Sequence, residues 1–336
     1  MQLFESIDSL LSAVKIAAPL LAGVAIGDIS PKDLPSYRNA GKRRRSYRQF
    51  TIPKRSGGER QITAPTGKIK AFQTCVAAFL ARAYIPLDCV MGFVPDRSIC
   101  TNAACHLGNT HLLNVDLKDF FTSIGAPKVE HSLVRIGVEP LAAQWVSTLC
   151  CYPLRTPDGR LLNVLPQGSP ASPILSNIAC EVMDARLEGL ASRFGLTYTR
   201  YADDMTFSGT FKDVSVGDKL FSPEGTFFQE LLRIIADNGF SLNEKKTRLA
   251  HPGDRKEVTG LTVGEKVNVP RAFTKNLRAA IHQMEHFIPD DAQLRQVSGK
   301  LAYMRMIKGK DDPTYLRLRR RFIRIGYKVK VHQRYK

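Results

Sequence analysis

The segment TRYADDMTFSG, residues 199–209, sets Asp203 beside Asp204 in the middle of a strand-like run. Tyr198, Tyr201, Thr206 and Phe207 favour pleated backbone. Adjacent like charges disfavour both pairing and folding unless something neutralises them. Two other aspartate pairs, Asp290–Asp291 and Asp311–Asp312, each lie near a proline in polar surroundings, where Asp starts helices or turns. The pair at 203–204 predicts instead a strand, a tight turn and a second strand. The carboxylates sit at the bend, and a bound cation would neutralise them.

The rest of the chain is consistent with such a site. Its 336 residues, 43% apolar, can bury a large core as one domain or two to three subdomains. Lys plus Arg number 49 against 31 Asp plus Glu, a formal charge of +18. That balance points to a polyanionic partner, nucleic acid before an anionic membrane surface. Seven cysteines without a CxxC pair suggest neither zinc nor a disulfide framework, and free thiols fit a reducing cytoplasm. The N-terminal run LLSAVKIAAPLLAGVAIG is apolar, but Glu5 and Asp8 precede it and Lys15 and Pro19 interrupt it. It predicts packed helices rather than a targeting signal or membrane span.

Along the chain, RNAGKRRRSYRQFTIPKRSGGER (residues 38–60) predicts a basic hairpin, with strands at 47–52 and 60–63. Apolar spacing predicts helices at 66–84 and 226–238. HLLNVDL predicts a buried strand ending at Asp116, followed by helical pattern to about residue 150 and a turn at TPDGR. LPQGSPASP precedes another helix, and VTGLTVGEKVNV predicts a strand pair. The tail is helical and strongly basic: Tyr315, Leu318, Phe322 and Ile325 form one stripe, and Arg317, Arg320, Arg321 and Arg324 lie off it. Those arginines, extended by Lys328, Lys330, Arg334 and Lys336, predict a nucleic-acid backbone contact.

Asp116 closes one strand and Asp203–Asp204 occupy a hairpin tip. Two Mg²⁺ ions roughly 4 Å apart need carboxylates from separate elements of one rigid platform. Hard divalent ions take oxygen ligands and keep substrate phosphates in their shell. A nucleic-acid polymerase uses this arrangement to activate a primer hydroxyl and steady the pyrophosphate.

Taken together, NVDLKDFF, LPQGSPASP and RYADDMTFSG resemble the motifs of reverse transcriptases, over about residues 45–285. TNAACH (Thr101 to His106) matches the NAxxH element, and VTGL (Val258 to Leu261) the VTG element, of bacterial retron reverse transcriptases. The resemblance implies an α+β right-hand polymerase: fingers, a palm of antiparallel sheet plus helices, and a helical thumb. It divides the chain into a helical extension (1–37), fingers (38–87), palm (88–123), a helical insertion (124–165), palm again (166–265) and a basic thumb (266–336).

The resemblance also implies roles. Asp116, Asp203 and Asp204 are the catalytic, metal-binding triad, for two Mg²⁺ ions. Phe121 is a steric gate against a ribose 2′-OH, and Gln167 contacts the incoming nucleotide. Arg60, with Lys54 or Arg55, holds its triphosphate, and guanidinium forks suit phosphate oxygens. Lys245 or Lys246 stands where a general acid for pyrophosphate would be. Asp119 reads as structural. Asn102 and His106 are expected near RNA, although His106 also reads as a buried hydrogen-bonding histidine. Val258, Thr259 and Gly260 are expected to bind the cognate noncoding RNA, and Arg317, Arg320, Arg321 and Arg324 the RNA–DNA hybrid.

The implied reaction copies a structured noncoding RNA (msr-msd) into branched msDNA with deoxynucleotides (dNTPs), primed from a guanosine 2′-OH, in a cytoplasmic antiphage defence system. An effector protein is the implied partner. No stretch with the length of a ribonuclease H domain follows the thumb, which implies hybrid trimming by host ribonuclease H. Two alternatives are a compact group II intron-like reverse transcriptase with 3′-OH priming, against which NAACH and VTG argue, and a non-catalytic RNA-binding protein, against which the triad argues.

Overall fold

The computed structural model describes residues 31–54 and 57–334. The helices expected within residues 1–30, and the positions of Arg55 and Lys336, lie outside the described residues. The described strands are β1 (Tyr47–Pro53), β2 (Glu59–Pro65), β3 (His111–Asp116), β4 (Tyr152–Arg155), β5 (Leu161–Val164), β6 (Thr197–Tyr201), β7 (Asp204–Gly209), β8 (Arg248–Ala250), β9 (Lys256–Val258) and β10 (Leu261–Val263).

Four of them form a central antiparallel sheet in the order β6-β7-β3-β8. Side chains of β3 alternate between its faces, as the two-residue period of a strand requires. Leu113 and Val115 join Met205 and Phe207 of β7 in the main core, against helices Ser172–Arg193 and Thr226–Asp237. Leu112 faces the other way, into a smaller cluster with Ala103, Val258, Leu261 and Val263. Asn114 and Asp116 share the face of Leu112, so the strand that fills the core also delivers a carboxylate to the opposite side. The helix Thr226–Asp237 forms because Phe227, Leu231, Ile234 and Ile235 line one face, and all four are buried there.

The basic hairpin is β1 paired with β2, Ile52 opposite Arg60. Helix Gly67–Ala83 follows, close to the expected span. At the C-terminal end, helices Arg271–His286, Asp291–Lys308 and Pro313–Arg334 pack around a separate core of Leu277, Ile281, Met284, Val297, Leu301, Met304, Leu318 and Ile325. Asp290 caps the middle helix through a capping box with Gln293, and Asp312 accepts a hydrogen bond from the Tyr315 backbone N–H at 2.9 Å. Both pairs outside the hairpin therefore serve as helix starts. The mixed architecture of antiparallel sheets and helices is of the expected α+β class.

Several elements exceed the expected pattern. The region 124–165 holds not only helices Ala126–Arg135 and Pro140–Cys150 but also the hairpin of β4 and β5, which brackets the TPDGR turn. β8, of three residues, adds an edge to the central sheet. Strands this short carry no legible alternation. Helix Val214–Phe221 and the middle C-terminal helix also lie beyond the segments singled out in sequence. No described helix is long and apolar enough to cross a membrane.

Candidate active site

β6 and β7 meet in a two-residue turn, Tyr201 pairing with Asp204 across Ala202 and Asp203. Ala202 has φ +59, the sign that tight hairpin turns demand at their first central residue. For an L-residue this costs about 1–2 kcal/mol, so neighbouring groups must hold it. Arg200 donates from Nη1 to the Ala202 carbonyl at 3.1 Å. Behind the turn stands Gly92, where an added Cβ would lie 2.7 Å from the Ala202 nitrogen. Asp204 then opens β7 directly opposite Asp116 in the β3–β7 register, and the Leu117 N–H donates to the Asp203 carbonyl at 3.0 Å. Three carboxylates from two connections thus converge at one end of the sheet.

Asp116 is buried, and both its oxygens are occupied. Asn243 Nδ2 donates to Oδ1 at 3.2 Å and Lys246 Nζ to Oδ2 at 2.8 Å. Both donors flank or occupy the 3₁₀ turn Glu244–Lys246, which the backbone bond from Asn243 N to Asp116 O at 2.8 Å ties to β3. Of the two candidate lysines, Lys246 is the one at the triad, and Lys245 makes no such contact. Partial burial, then the Asp116 charge, raises the Asp203 carboxyl, against the pull of Lys246 and Arg60. Asp204 is pushed up to about 6 by desolvation on its protein side, then by the charges of Asp203 and Asp116. Desolvation alone would lower the Lys246 ammonium, but its bond to Asp116 and the three carboxylate charges outweigh that and raise it. Raised acids on a fixed platform describe a site electrostatically short of positive charge, as expected where divalent cations bind.

The other predicted groups lie after β3, on the β1–β2 hairpin and in the LPQG loop. Phe121 is half-buried, 6.3 Å from Phe93, whose ring stands 6.4 Å from Tyr201. Phe93, exposed with φ +61, is part of this aromatic wall and was not singled out in sequence. The Gln167 carbonyl accepts from the Thr63 N–H at 2.8 Å, and a Cβ on Gly168 (φ +119) would sit 2.7 Å from Ile62 Cγ2. Glycine there lets the LPQG loop lie against β2. Ser169 and Ser172 of the same motif are structural: they donate to Gln73 Oε1 and to the Pro166 carbonyl, each at 2.7 Å. Arg60 acts on Asp203 from the hairpin, whereas Lys54 is exposed near its tip. Asp119, exposed with φ +47, serves the turn through its backbone carbonyl, which accepts from Ser123 N at 2.9 Å.

The profile of reverse transcriptase (RNA-dependent DNA polymerase) matches residues 52–287. The chain belongs to the reverse transcriptase family. Among curated proteins, this reverse transcriptase is 36% identical to the retron Mx65 reverse transcriptase of Myxococcus xanthus, over 87% of this chain and 67% of that protein. It is 35% identical to the retron Ec86 reverse transcriptase of Escherichia coli, over 79% of this chain and 77% of that protein. Among solved structures, telomerase from Candida albicans with a fragment of telomeric RNA aligns over 84% of this chain and 59% of its own. That match has 12% identity and a TM-score of 0.48, too loose a likeness to carry weight. The family identity makes the chain an RNA-directed DNA polymerase.

Two expectations for this reverse transcriptase need correction. His106 is buried, its ring nitrogens 2.6 Å from Ser208 Oγ and 2.7 Å from Thr199 Oγ1, and burial drops its pKa to about 4. A neutral, enclosed imidazole pins helix Ile99–Ala104 to the sheet and has no surface for RNA. Asn102 is buried too, with Nδ2 3.5 Å from Thr259 Oγ1, and Val258 is fully enclosed in the cluster with Ala103. The NAACH and VTG segments are thus one packed unit. Thr259 (φ +46) and exposed Gly260 (φ +77) form the turn between β9 and β10 and are its accessible part.

The second correction concerns Arg321. Its Nε and Nη2 donate to Glu285 Oε1 at 2.8 Å and Oε2 at 2.7 Å. The bidentate pair, first through its hydrogen bonds, holds Glu285 down to about 2. Arg321 therefore joins two C-terminal helices, while Arg317, Arg320 and Arg324 are exposed.

Proposed function

We propose that this reverse transcriptase copies a structured noncoding RNA, the msr-msd transcript of a retron, into branched msDNA, starting from a guanosine 2′-OH within that RNA. The observation that carries the reading is the convergence of Asp116, Asp203 and Asp204 in a chain whose relatives are retron reverse transcriptases. Packing of the NAACH segment against the VTG segment supports it. The exposed turn at Thr259–Gly260 is the part of that unit offered to the cognate RNA.

The triad suits two Mg²⁺ ions: all three donors are oxygens, and two of the carboxyls are raised by desolvation first and then by the charge of neighbouring carboxylates. When bound, the ions would supply activation of the primer hydroxyl and charge neutralisation at the pyrophosphate. The chain's own groups position the dNTP: Arg60 with Lys54 or Arg55 at the phosphates, Gln167 at the nucleotide, and Phe121 as the wall that excludes a 2′-OH. Lys246 rather than Lys245 is the cation beside the triad. Arg317, Arg320 and Arg324 face the backbone of the RNA–DNA hybrid. Host ribonuclease H trims the hybrid, and an effector protein acts with the product in cytoplasmic antiphage defence.

The test is in vitro synthesis on the RNA transcribed from the chain's own locus, with dNTPs and Mg²⁺. The expected product is DNA joined to RNA at an internal 2′ position, released by a 2′–5′ debranching enzyme. DNA that the debranching enzyme leaves unchanged, joined only through a 3′ end, would refute 2′ priming and favour the group II-like mode.

A further inference from the structure

His111 opens β3, the strand that Asp116 closes. Five residues at about 3.3 Å each separate the two by roughly 17 Å, and their side chains leave the strand on opposite faces. His111 lies on the core face, its side chain fully buried, beside Asp218 of helix Val214–Phe221 and His251, which follows β8. His111 Nε2 is 3.2 Å from Asp218 Oδ1, and His251 Nδ1 is 2.7 Å from the same oxygen. The three ligand atoms all lie within 4.8 Å of one another. Polymerisation at the triad uses none of them.

The surroundings favour a metal over a chance contact. Phe211 N donates to Thr110 Oγ1 at 3.2 Å, and that hydroxyl lies 3.2 Å from the Gly209 carbonyl and 3.0 Å from His111 Nδ1. With the hydroxyl hydrogen on Gly209, Nδ1 donates, and in a neutral ring the Nε2 lone pair then faces a carboxylate oxygen. A cation between them resolves that clash, and an outer hydrogen bond of this kind is what orients metal-bound histidines. Gly217 leaves the room: a Cβ there would sit 2.8 Å from His111 Nε2. Asp218 and His251 are 42% and 45% exposed, so the site is open to solvent on one side.

From this geometry we infer a second metal site, in which His111 Nε2, His251 Nδ1 and an Asp218 carboxylate oxygen bind one Zn²⁺, with water completing a tetrahedron. Two imidazoles with one carboxylate select zinc over Mg²⁺. The ion staples three elements that otherwise meet through few bonds. β8 pairs with β3 over only three residues, Leu112–Ala250 to Asn114–Arg248. The turn just before β8 carries Asn243 and Lys246 to Asp116. Zinc at this clamp therefore holds the edge strand that positions the triad's cation.

The test uses the full chain with Asp203→Asn and Asp204→Asn, which removes the acidic triad as a competing site. The protein is stripped with chelator, dialysed against Zn²⁺ and then against metal-free buffer, and its zinc measured by mass spectrometry. One equivalent should remain, and the melting temperature should rise by a few degrees over the stripped form. His251→Gln or Asp218→Asn, at partly exposed positions that tolerate change, should each weaken retention by more than the roughly 10–100-fold that loss of an outer partner costs. His282→Ala should leave it unchanged, although His282 and His286 form an exposed pair with ring centroids 4.8 Å apart. Retention unaffected by His251→Gln and Asp218→Asn would overturn the site. So would no retained zinc and no thermal shift, which would make the three groups a hydrogen-bonded clamp only.

Discussion

Arg200 and Asp184 form a bidentate ion pair with no solvent exposure on either side chain: Nε donates to Oδ1 at 2.8 Å and Nη2 to Oδ2 at 2.7 Å. Tyr198 adds a hydroxyl donor to Asp184 Oδ1 at 2.9 Å, and Asn177 Oδ1 accepts from Nη2 at 3.2 Å. Asp184 and Asn177 belong to helix Ser172–Arg193, whereas Arg200 also holds the Ala202 carbonyl. One guanidinium thus connects the central helix to the turn that carries Asp203. A buried pair of this kind adds little net stability, but breaking one partner leaves an uncompensated charge in the core.

Asp184→Asn should therefore lower the unfolding free energy by about 3–5 kcal/mol, read from urea denaturation. Arg200→Lys should fail to restore full stability, because an ammonium cannot bond both oxygens in the guanidinium's plane. A loss under about 1 kcal/mol for Asp184→Asn would mean that the hairpin is held by its backbone alone.

Asp204 gives a pH signature. Its folded pKa lies near 6, above an ordinary value of 3.8. Between those values the folded state binds more protons than the unfolded one, so the contribution of this group to stability falls as pH rises from about 4 to about 6. Asp204→Asn should raise the melting temperature of the chelated protein at pH 7.5 and change it little at pH 4. The same variant should lose at least about a hundredfold in DNA synthesis, the scale of a lost metal ligand. In the wild type, activity should fall as pH drops below about 6, and higher Mg²⁺ should move that limb to lower pH. An acid limb indifferent to Mg²⁺ would detach Asp204 from the metal.

Lys246 and Lys245 should behave differently. Lys246→Met should lower kcat by at least about tenfold, one step of 1.4 kcal/mol, because Asp116 loses its cation. Lys245→Met, at an exposed position that makes no bond to the triad, should stay within about twofold. Single-turnover kinetics on a generic primer–template decide between them, and equal effects would remove the distinction.

Phe121→Val should raise incorporation of ribonucleotides relative to deoxynucleotides by about tenfold or more, since it removes the ring that stands 6.3 Å from Phe93 and shortens the wall proposed beside the sugar. The ratio of kcat/KM for the two substrates is the measurement. An unchanged ratio would move the gate elsewhere.

On helix Pro313–Arg334, Arg320→Gln with Arg324→Gln should weaken RNA binding and flatten its log–log salt dependence by up to about 0.7–0.9 per residue. Arg321→Gln should instead lower thermal stability while moving that slope less, because its guanidinium is committed to Glu285. The reverse pattern would put Arg321 on the nucleic acid.

The placement of the three acidic residues was legible in the sequence because a hairpin bend and a strand end are local features. The flanking aromatic and β-branched residues predicted a hairpin with Asp203 and Asp204 at its bend, the apolar run of β3 ended at Asp116, and the role of the three came from the motif resemblance. Capping by Asp290 and Asp312 was readable for the same reason: a cap needs only its next three residues. What required the tertiary structure was everything decided by packing between distant segments. Lys245 and Lys246 are indistinguishable in sequence, and only the bond of the 3₁₀ turn to β3 selects one. Arg321 and Arg320 are neighbours on one helix, yet Glu285, 36 residues away, takes one of them from the surface. Asn102 looks like a polar residue available to RNA, and His106 reads either as that or as a buried hydrogen-bonding histidine, until packing encloses both. His111, Asp218 and His251 carry no shared motif, because strand, helix and edge strand bring them together only when the core forms. Periodicity reports which face of an element is apolar, but it carries no information on which polar side chain another element will reach.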